Sequence, residues 1–408
     1  MGHGNRLIDG LDMKTADSIL DCIEKEGPLS RASVAKRLDL SRTTLSNLIS
    51  RFMEQKLVAE LEGTNPLGRG RPGIPVDIDT STWFALGAEF HSGRWVFVIV
   101  NLKGEVVATE TVKVDSDSAD GFLAALVKGV KRIGGKSPGR LLPAVGVGVP
   151  GLVNWEEGTI IRAADLGWEQ VPIKETVEKA TGLAVYALNR NRATGIAEAR
   201  CGKGRNVDNF VYIGIGTGIS AAIMLGGKLL HGSSYGAGEI GHLTVDPKGP
   251  ECGCGRRGCL QTLAAGGALV RKARQLLDSG KAKSDGELAR ALSEQNGSGG
   301  EAVCLAAMAG DKMALSCVRS AASYLAMAVG SLVTTLNPEK VIFGGPLVRV
   351  GPILVDLVRQ EASKWVMPHS FSFVSLDASE LDEYAGALGA ACLVLARKLD
   401  LSSTVSES

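Results

Sequence analysis

The chain has 408 residues, 45% hydrophobic and 22% charged, with a formal net charge of +1. That length exceeds what one core serves and predicts two or three domains, while the near-neutral balance excludes a protein that is basic throughout. Hydrophobic periodicity persists despite 52 glycines, which excludes a disordered chain and points to tight turns and close backbone approaches.

Five of the eight cysteines (Cys22, Cys201, Cys304, Cys317, Cys392) are scattered, a pattern that suits a reducing cytoplasm rather than a disulfide scaffold. Residues Met1 to Leu11 lack an apolar leader core, and no apolar run approaches a membrane span. The expected location is cytoplasmic, with no membrane partner.

Residues 1–80 are expected to form a winged helix-turn-helix DNA-binding domain. Ala16, Ile19, Leu20 and Ile23 recur at helical spacing, and Gly27-Pro28 ends that helix. Ser30 caps a second helix carrying Val34, Ala35 and Leu38, and Asp39-Leu40 makes a turn. Ser41 caps a third helix with Leu45, Leu48, Ile49 and Phe52 inward. Its outward face shows Arg42, Thr43, Ser46, Asn47 and Arg51, side chains suited to base edges and phosphates. "LVAELEG" and "IPVDID" predict a strand pair, with Arg69 and Arg71 in the glycine-rich wing between them. From Arg31 to Arg71 eight Lys/Arg face four Asp/Glu, so this segment is locally basic. Operator DNA is the expected partner.

From Trp83 the pattern is α/β. "WFALGAEF", "RWVFVIVNL" and "VVATETVKV" predict three strands, followed by a helix near Gly121–Ile133 and a buried strand in "AVGVGVPG". A strand at Val185–Leu188, a helix from Ala193 and the hairpin "FVYIGIGTGISAAIMLGGKLL" follow. Then come a long helical stretch to Leu336, the strand "KVIFGG" and a final helix "EYAGALGAACLVLARKL". The repeated order predicts a duplicated architecture with ligand bound in a cleft.

His242, Cys252, Cys254 and Cys259 follow the spacing H-x9-C-x-C-x4-C. Three thiolates and one imidazole are the ligand set of a tetrahedral zinc site, and four protein ligands leave no open position. The expected cofactor is therefore a structural Zn2+ that orders the loop.

"GAGEIGHLTVDP" and "CGCGRRGCLQTLA" resemble the signature of the ROK family of repressors and sugar kinases, and further matching stretches run in family order from Trp83 to Leu399. The resemblance implies an actin-like, ribonuclease-H-like ATPase fold over residues 81–400, in two lobes with the C-terminal helix packed back on the first. With a winged helix in front, the chain resembles the regulator subgroup that includes the xylose and N-acetylglucosamine repressors. It also implies a homodimer or homotetramer and a sugar-like effector contacted by Asn189, Arg190, Glu239, His242 and Gln261.

The kinase members carry a phosphate loop and a catalytic aspartate. The corresponding positions here are "EFHSG" (89–93), with His91 and Ser92 where the loop has glycines, and Arg190 for the aspartate. A guanidinium cannot accept a proton, so phosphorylation by this route is not expected and no catalytic residue is assigned. Arg190, with Arg192 beside it, is instead a candidate clamp for an anionic effector such as a sugar phosphate or sugar acid. The competing expectation is an internal salt bridge from Arg190 to Glu89, Asp165 or Glu239. The alternative function is a sugar kinase with an appended DNA-binding domain.

Overall fold

A computed structural model describes residues 13–61, 74–91, 93–114, 118–283, 286–294 and 299–397. Two compact units divide them: one runs to Val147 and adds Ile173–Tyr186 and the chain from Ala390, and the other comprises Gly148–Pro172 and Ala187–Gly389.

The first unit opens with α1 (Met13–Glu26), β1 (Leu29–Ser30), α2 (Arg31–Arg37), α3 (Arg42–Glu54), β2 (Val58–Glu60) and β3 (Pro75–Ile78). The four apolar positions of α1 are fully buried, as spacing of three and four residues dictates for one helical face. The Ser30 side chain accepts from the N–H of Ser33, and that of Ser41 from the N–H of Thr44, both at 3.1 Å. These caps satisfy backbone donors that each helix start would otherwise leave orphaned. The strands form a sheet in the order β1-β3-β2. Strand β1 is too short to read from sequence, but Leu29 pairs with Val76 in the middle strand.

This domain is stapled to the sheet that follows. Trp83 Nε1 donates to the carbonyl of Gln55, the residue capping the C-terminus of α3, at 2.8 Å. Lys103 Nζ lies 2.7 Å from a carboxylate oxygen of the buried Asp77. The sheet contains β4 (Trp83–His91), β5 (Arg94–Asn101), β6 (Val106–Lys113), β7 (Arg140–Val149) and β11 (Ala184–Asn189). Its order is β6-β5-β4-β7-β11, and α4 (Ala119–Gly134) packs on it. A Cβ at Gly129 of α4 would lie 2.0 Å from the Phe97 ring, so only glycine permits this helix to pack so closely on β5.

Between β7 and β11 come β8 (Leu152–Asn154), β9 (Thr159–Ala163), β10 (Trp168–Pro172) and α5 (Ile173–Thr181). The three strands form a small separate sheet. Next come α6 (Arg190–Cys201) and a second five-stranded sheet of β12 (Phe210–Ile215), β13 (Ile219–Leu225), β14 (Lys228–Leu229), β15 (Lys340–Gly344) and β16 (Ser375–Ala378). Its order is β14-β13-β12-β15-β16. Each large sheet is thus a three-strand meander extended by two later strands beside its first strand, which is the expected duplication.

Helices α7 (Leu260–Ala264), α8 (Gly266–Asp278), α9 (Glu287–Glu294), α10 (Gly300–Met308) and α11 (Lys312–Leu336) precede β15. Helices α12 (Pro346–Arg349), α13 (Ile353–Ala362) and α14 (Pro368–Phe373) follow it, and α15 (Ala385–Leu395) comes last. Contrary to the expectation of no span-length run, α11 is long and apolar enough to cross a membrane by length and composition. Its apolar residues instead belong to the core, where Val318, Leu325 and Val329 pack with Ile213, Val341 and Phe343.

Candidate functional site

Among the described residues, α3 presents Arg42, Thr43, Asn47 and Arg51 to solvent, while Leu45, Leu48, Ile49 and Phe52 are buried beneath them. Ser46 is half-buried, because it lines a groove with Arg31, Arg42, Glu60 and Ile74. The wing residues Arg69 and Arg71 lie outside the described residues.

The structure draws His242, Cys252, Cys254 and Cys259 together, with their ligand atoms all within 4.8 Å of one another. Cys252 Sγ is 3.6 Å from His242 Nδ1, and Cys254 Sγ is 3.6 Å from Cys259 Sγ. Donors around one tetrahedral zinc-sized ion, with sulfur about 2.3 Å and nitrogen about 2.0 Å from it, stand roughly 3.5–3.8 Å apart. The observed spacings match that figure and are far too long for a disulfide.

Short bridges between Thr244 and Cys259 and between Glu251 and Arg257 fold the loop back on itself. Gly258 makes the fold possible: its φ is +65°, and a Cβ there would fall 1.5 Å from the Asp246 carbonyl oxygen. The N–H of Arg256 pulls the Cys254 thiol down to about 6, whereas burial pushes that of Cys259 up to about 12.

A cavity of about 480 Å³ opens beside this cluster, and every residue lining it belongs to the second unit. Asn189, Arg190, Glu239, His242 and Gln261 all lie on its wall, and so does Asp165. All five sequence-derived effector positions therefore converge. Since His242 turns Nδ1 toward Cys252, its Nε2 is the nitrogen left for a ligand.

Several of these side chains already have internal work. Asn189 Oδ1 caps α6 by accepting from the N–H of Asn191 at 2.9 Å, and its Nδ2 donates to the Gly151 carbonyl at 2.9 Å. The cap starts α6 at Arg190, three residues before the expected Ala193. Gln261 Nε2 lies 3.6 Å from Cys252 Sγ. An amide can donate to a thiolate there and a carboxylate cannot, which gives Gln261 a role supporting the cluster.

Arg192 departs from expectation. It does not line the cavity; its side chain is only 2% exposed, and its Nη2 donates to the carbonyls of Tyr235 and, at 2.7 Å, Ala237. The same nitrogen is 3.9 Å from Glu239 Oε1. Burial raises the Glu239 carboxyl pKa against the opposing pull of Arg192. Arg192 thus holds the loop carrying Glu239 and is not a clamp for ligand. Sequence reasoning also missed the outer ties of this loop. His231 stacks on Trp155 with centroids 4.8 Å apart, and the Tyr235 hydroxyl donates to Glu156 at 2.9 Å.

A winged helix followed by a duplicated α/β domain, with a Cys3His knot beside a polar cavity, defines the class, and the chain belongs to the ROK family, whose family model matches residues 91–397. A winged helix-turn-helix DNA-binding model matches residues 17–58. Among the relatives is a putative xylose repressor of Caldicellulosiruptor sp., 27% identical, with 93% of this chain and 95% of that one covered. A solved ROK family transcriptional regulator, a homologue of the Escherichia coli MLC protein, superposes with a TM-score of 0.83 at 26% identity, covering 96% of this chain and 98% of that one. A ROK family glucokinase from Streptomyces griseus, solved with glucose and AMPPNP, gives 0.67 at 29% identity over 76% of this chain and 98% of its own.

Proposed function

We propose that the chain is a DNA-binding transcriptional repressor whose ROK domain binds a carbohydrate effector and does not phosphorylate it. The observation that carries this reading is the pairing of an exposed, hydrogen-bonding α3 face with a sugar-kinase-like cavity that has a cation where a base is required. Arg190 stands on the cavity wall, and a guanidinium has no lone pair with which to take a proton from a sugar hydroxyl. His91 closes the β4–β5 hairpin opposite Arg94, in the segment matched to the phosphate loop; Ser92 lies outside the described residues.

In this reading Arg42, Thr43, Ser46, Asn47 and Arg51 meet the major groove, and Arg69 and Arg71 follow the backbone. A homodimer or homotetramer in the cytoplasm presents paired winged helices to a pseudo-palindromic operator. The effector contacts Asn189, Arg190, Glu239, His242 and Gln261, with Arg190 paired to a carboxylate or phosphate on the sugar. His242, Cys252, Cys254 and Cys259 hold a structural zinc ion. With zinc held there, His242 would be fixed through Nδ1, leaving its Nε2 to face the ligand.

Selection of duplexes from genomic DNA by the purified chain tests the first part: a recovered set without a shared half-site motif defeats it. Calorimetry with neutral and anionic sugars tests the second. Anionic sugars are expected to bind wild type at least tenfold tighter than Arg190→Ala, and equal affinity removes the clamp. ATP turnover with the same sugars is expected to be absent.

A further inference from the structure

The groove beside α3 holds an arginine that lies outside the recognition helix. It is a cavity of about 360 Å³ lined by Arg31, Ala32, Arg42, Ser46, Glu60 and Ile74. Arg42 and Ser46 are one turn apart on α3 and mark the side of the domain that a recognition helix turns toward DNA. Arg31 is the first residue of α2, and the helix preceding a recognition helix crosses the phosphate backbone. Among the described residues, both hydrogen bonds of the Arg31 side chain use Nη2, to Glu60 Oε1 at 2.9 Å and Met53 Sδ at 3.4 Å. Nε and Nη1 therefore have no protein partner among the described residues. The pair is about one-third exposed on each side, so the fork is oriented yet open to solvent.

We propose that Arg31, held in place by Glu60, is a further DNA contact that grips the phosphodiester backbone from the start of α2 while α3 occupies the groove. The inference rests on the reading of α3 as the recognition helix. Glu60 supplies orientation at a cost in charge: a carboxylate near phosphates is unfavourable unless a guanidinium lies between them. Nη2 stays on the carboxylate while Nη1, beside it on the same edge of the guanidinium, donates to a phosphate oxygen, so one planar group bridges the carboxylate and the phosphate in a fixed geometry that an ammonium does not impose.

The test uses the full chain and two probes, a duplex recovered by selection and a mixed-sequence duplex, titrated by fluorescence anisotropy across a salt series. Arg31→Ala is expected to weaken both duplexes by a similar factor. It should also reduce the slope of log affinity against log salt by about 0.9, the loss of one neutralised phosphate. The double variant Arg31→Glu/Glu60→Arg keeps the ion pair and the net charge. It is expected to stay weaker than wild type, because the guanidinium no longer starts from α2. Restoration of wild-type binding by this swap, or an unchanged salt slope in Arg31→Ala with a normal melting temperature, overturns the proposal. Arg42→Ala separates the two readings: if Arg42→Ala weakens binding and Arg31→Ala does not, the recognition helix stands and the Arg31 contact falls. If neither variant weakens binding, both fall.

Discussion

Replacing Arg192 with methionine isolates what a buried cation does in this domain. The substitution preserves approximate length and apolar bulk but strips two backbone carbonyls, Tyr235 and Ala237, of their donor and leaves Glu239 without its cation 3.9 Å away. A hydrogen bond from a charged donor contributes about 1.5–3 kcal/mol net, and removing one member of a buried pair costs about 3–5 kcal/mol in total, because the terms overlap. The loss falls on residues 231–239, whose backbone includes left-handed turns at Gly232, Tyr235 and Gly238 and whose other ties are the His231–Trp155 stack, the Tyr235–Glu156 hydrogen bond and backbone hydrogen bonds. Hydrogen exchange of amides in this loop reads the opening free energy directly. The expected change is about 3–5 kcal/mol in the loop, with little change in α1–α3. Effector affinity should fall as Glu239 loses its position. Arg192→Lys should recover only part, since the shorter lysine side chain does not carry its ammonium as far as Arg192 Nη2, the one nitrogen that meets both carbonyls and the carboxylate. A loss below about 1 kcal/mol in Arg192→Met would refute the assignment of Arg192 as the anchor of this loop.

The Cys3His cluster and the first sheet offer two more tests. Gly258→Ala should abolish stoichiometric metal in the purified chain, measured by elemental analysis, because its Cβ would overlap the Asp246 carbonyl. Gly253→Ala, whose Cβ would meet nothing within 4 Å, should retain it. Glu110 is 7% exposed and sits between Arg132 at 3.0 Å and Lys136; the Lys136 hydrogen bond holds its carboxyl below the usual range. A carboxyl depressed in the folded state stabilises above its unfolded pKa of about 4.3 and loses that effect as pH falls through the folded value. Thermal melts of wild type and Glu110→Gln should therefore differ by a constant amount from neutral pH down to about 5 and converge at lower pH. A gap that widens on acidification would contradict the ion-pair assignment.

Local chemistry made α1–α3 and most strands of the large sheets legible in the sequence, though not β1 or β16. Ser30 and Ser41 cap the helices they were expected to cap, and the apolar stripes of α1 and α3 lie inward. The small sheet β8–β10 escaped because its strands are three to five residues long and half-exposed, so neither period nor burial marks them. Helices α12 and α14 escaped for a related reason: they have four and six residues, and Pro346 and Pro368 set their starts by backbone geometry rather than by pattern. The Cys3His cluster was readable because four rare side chains that can ligate a metal fall within 18 residues. The role of Arg192 was not, since its partners are backbone carbonyls more than 40 residues away, and no side-chain type announces them.

The start of α6 bears on the proposal that the cavity holds a ligand and does not transform it. A helix N-terminus carries partial positive charge, and acidic residues in its first turn are stabilising while basic ones cost roughly 0.3–1 kcal/mol each. Helix α6 has no acid in its first turn and carries Arg190 and Arg192 there. Arg192 recovers that cost through the carbonyls of Tyr235 and Ala237 and the nearby Glu239. Asn189 and Asn191 are engaged with Gly151 and Ser220, so the helix start is rigid. A general base needs a lone pair and a pKa near neutrality; a positive helix end with a guanidinium beside it would hold even a carboxylate ionised and weakly basic. In the proposed function, the same field would attract an anion and order it at low reorganisation cost. On this argument, restoring a carboxylate with Arg190→Asp would not by itself restore phosphoryl transfer. The helix end and Arg192 would still depress the basicity of the new group, and His91 would still occupy a position where the phosphate loop has a glycine.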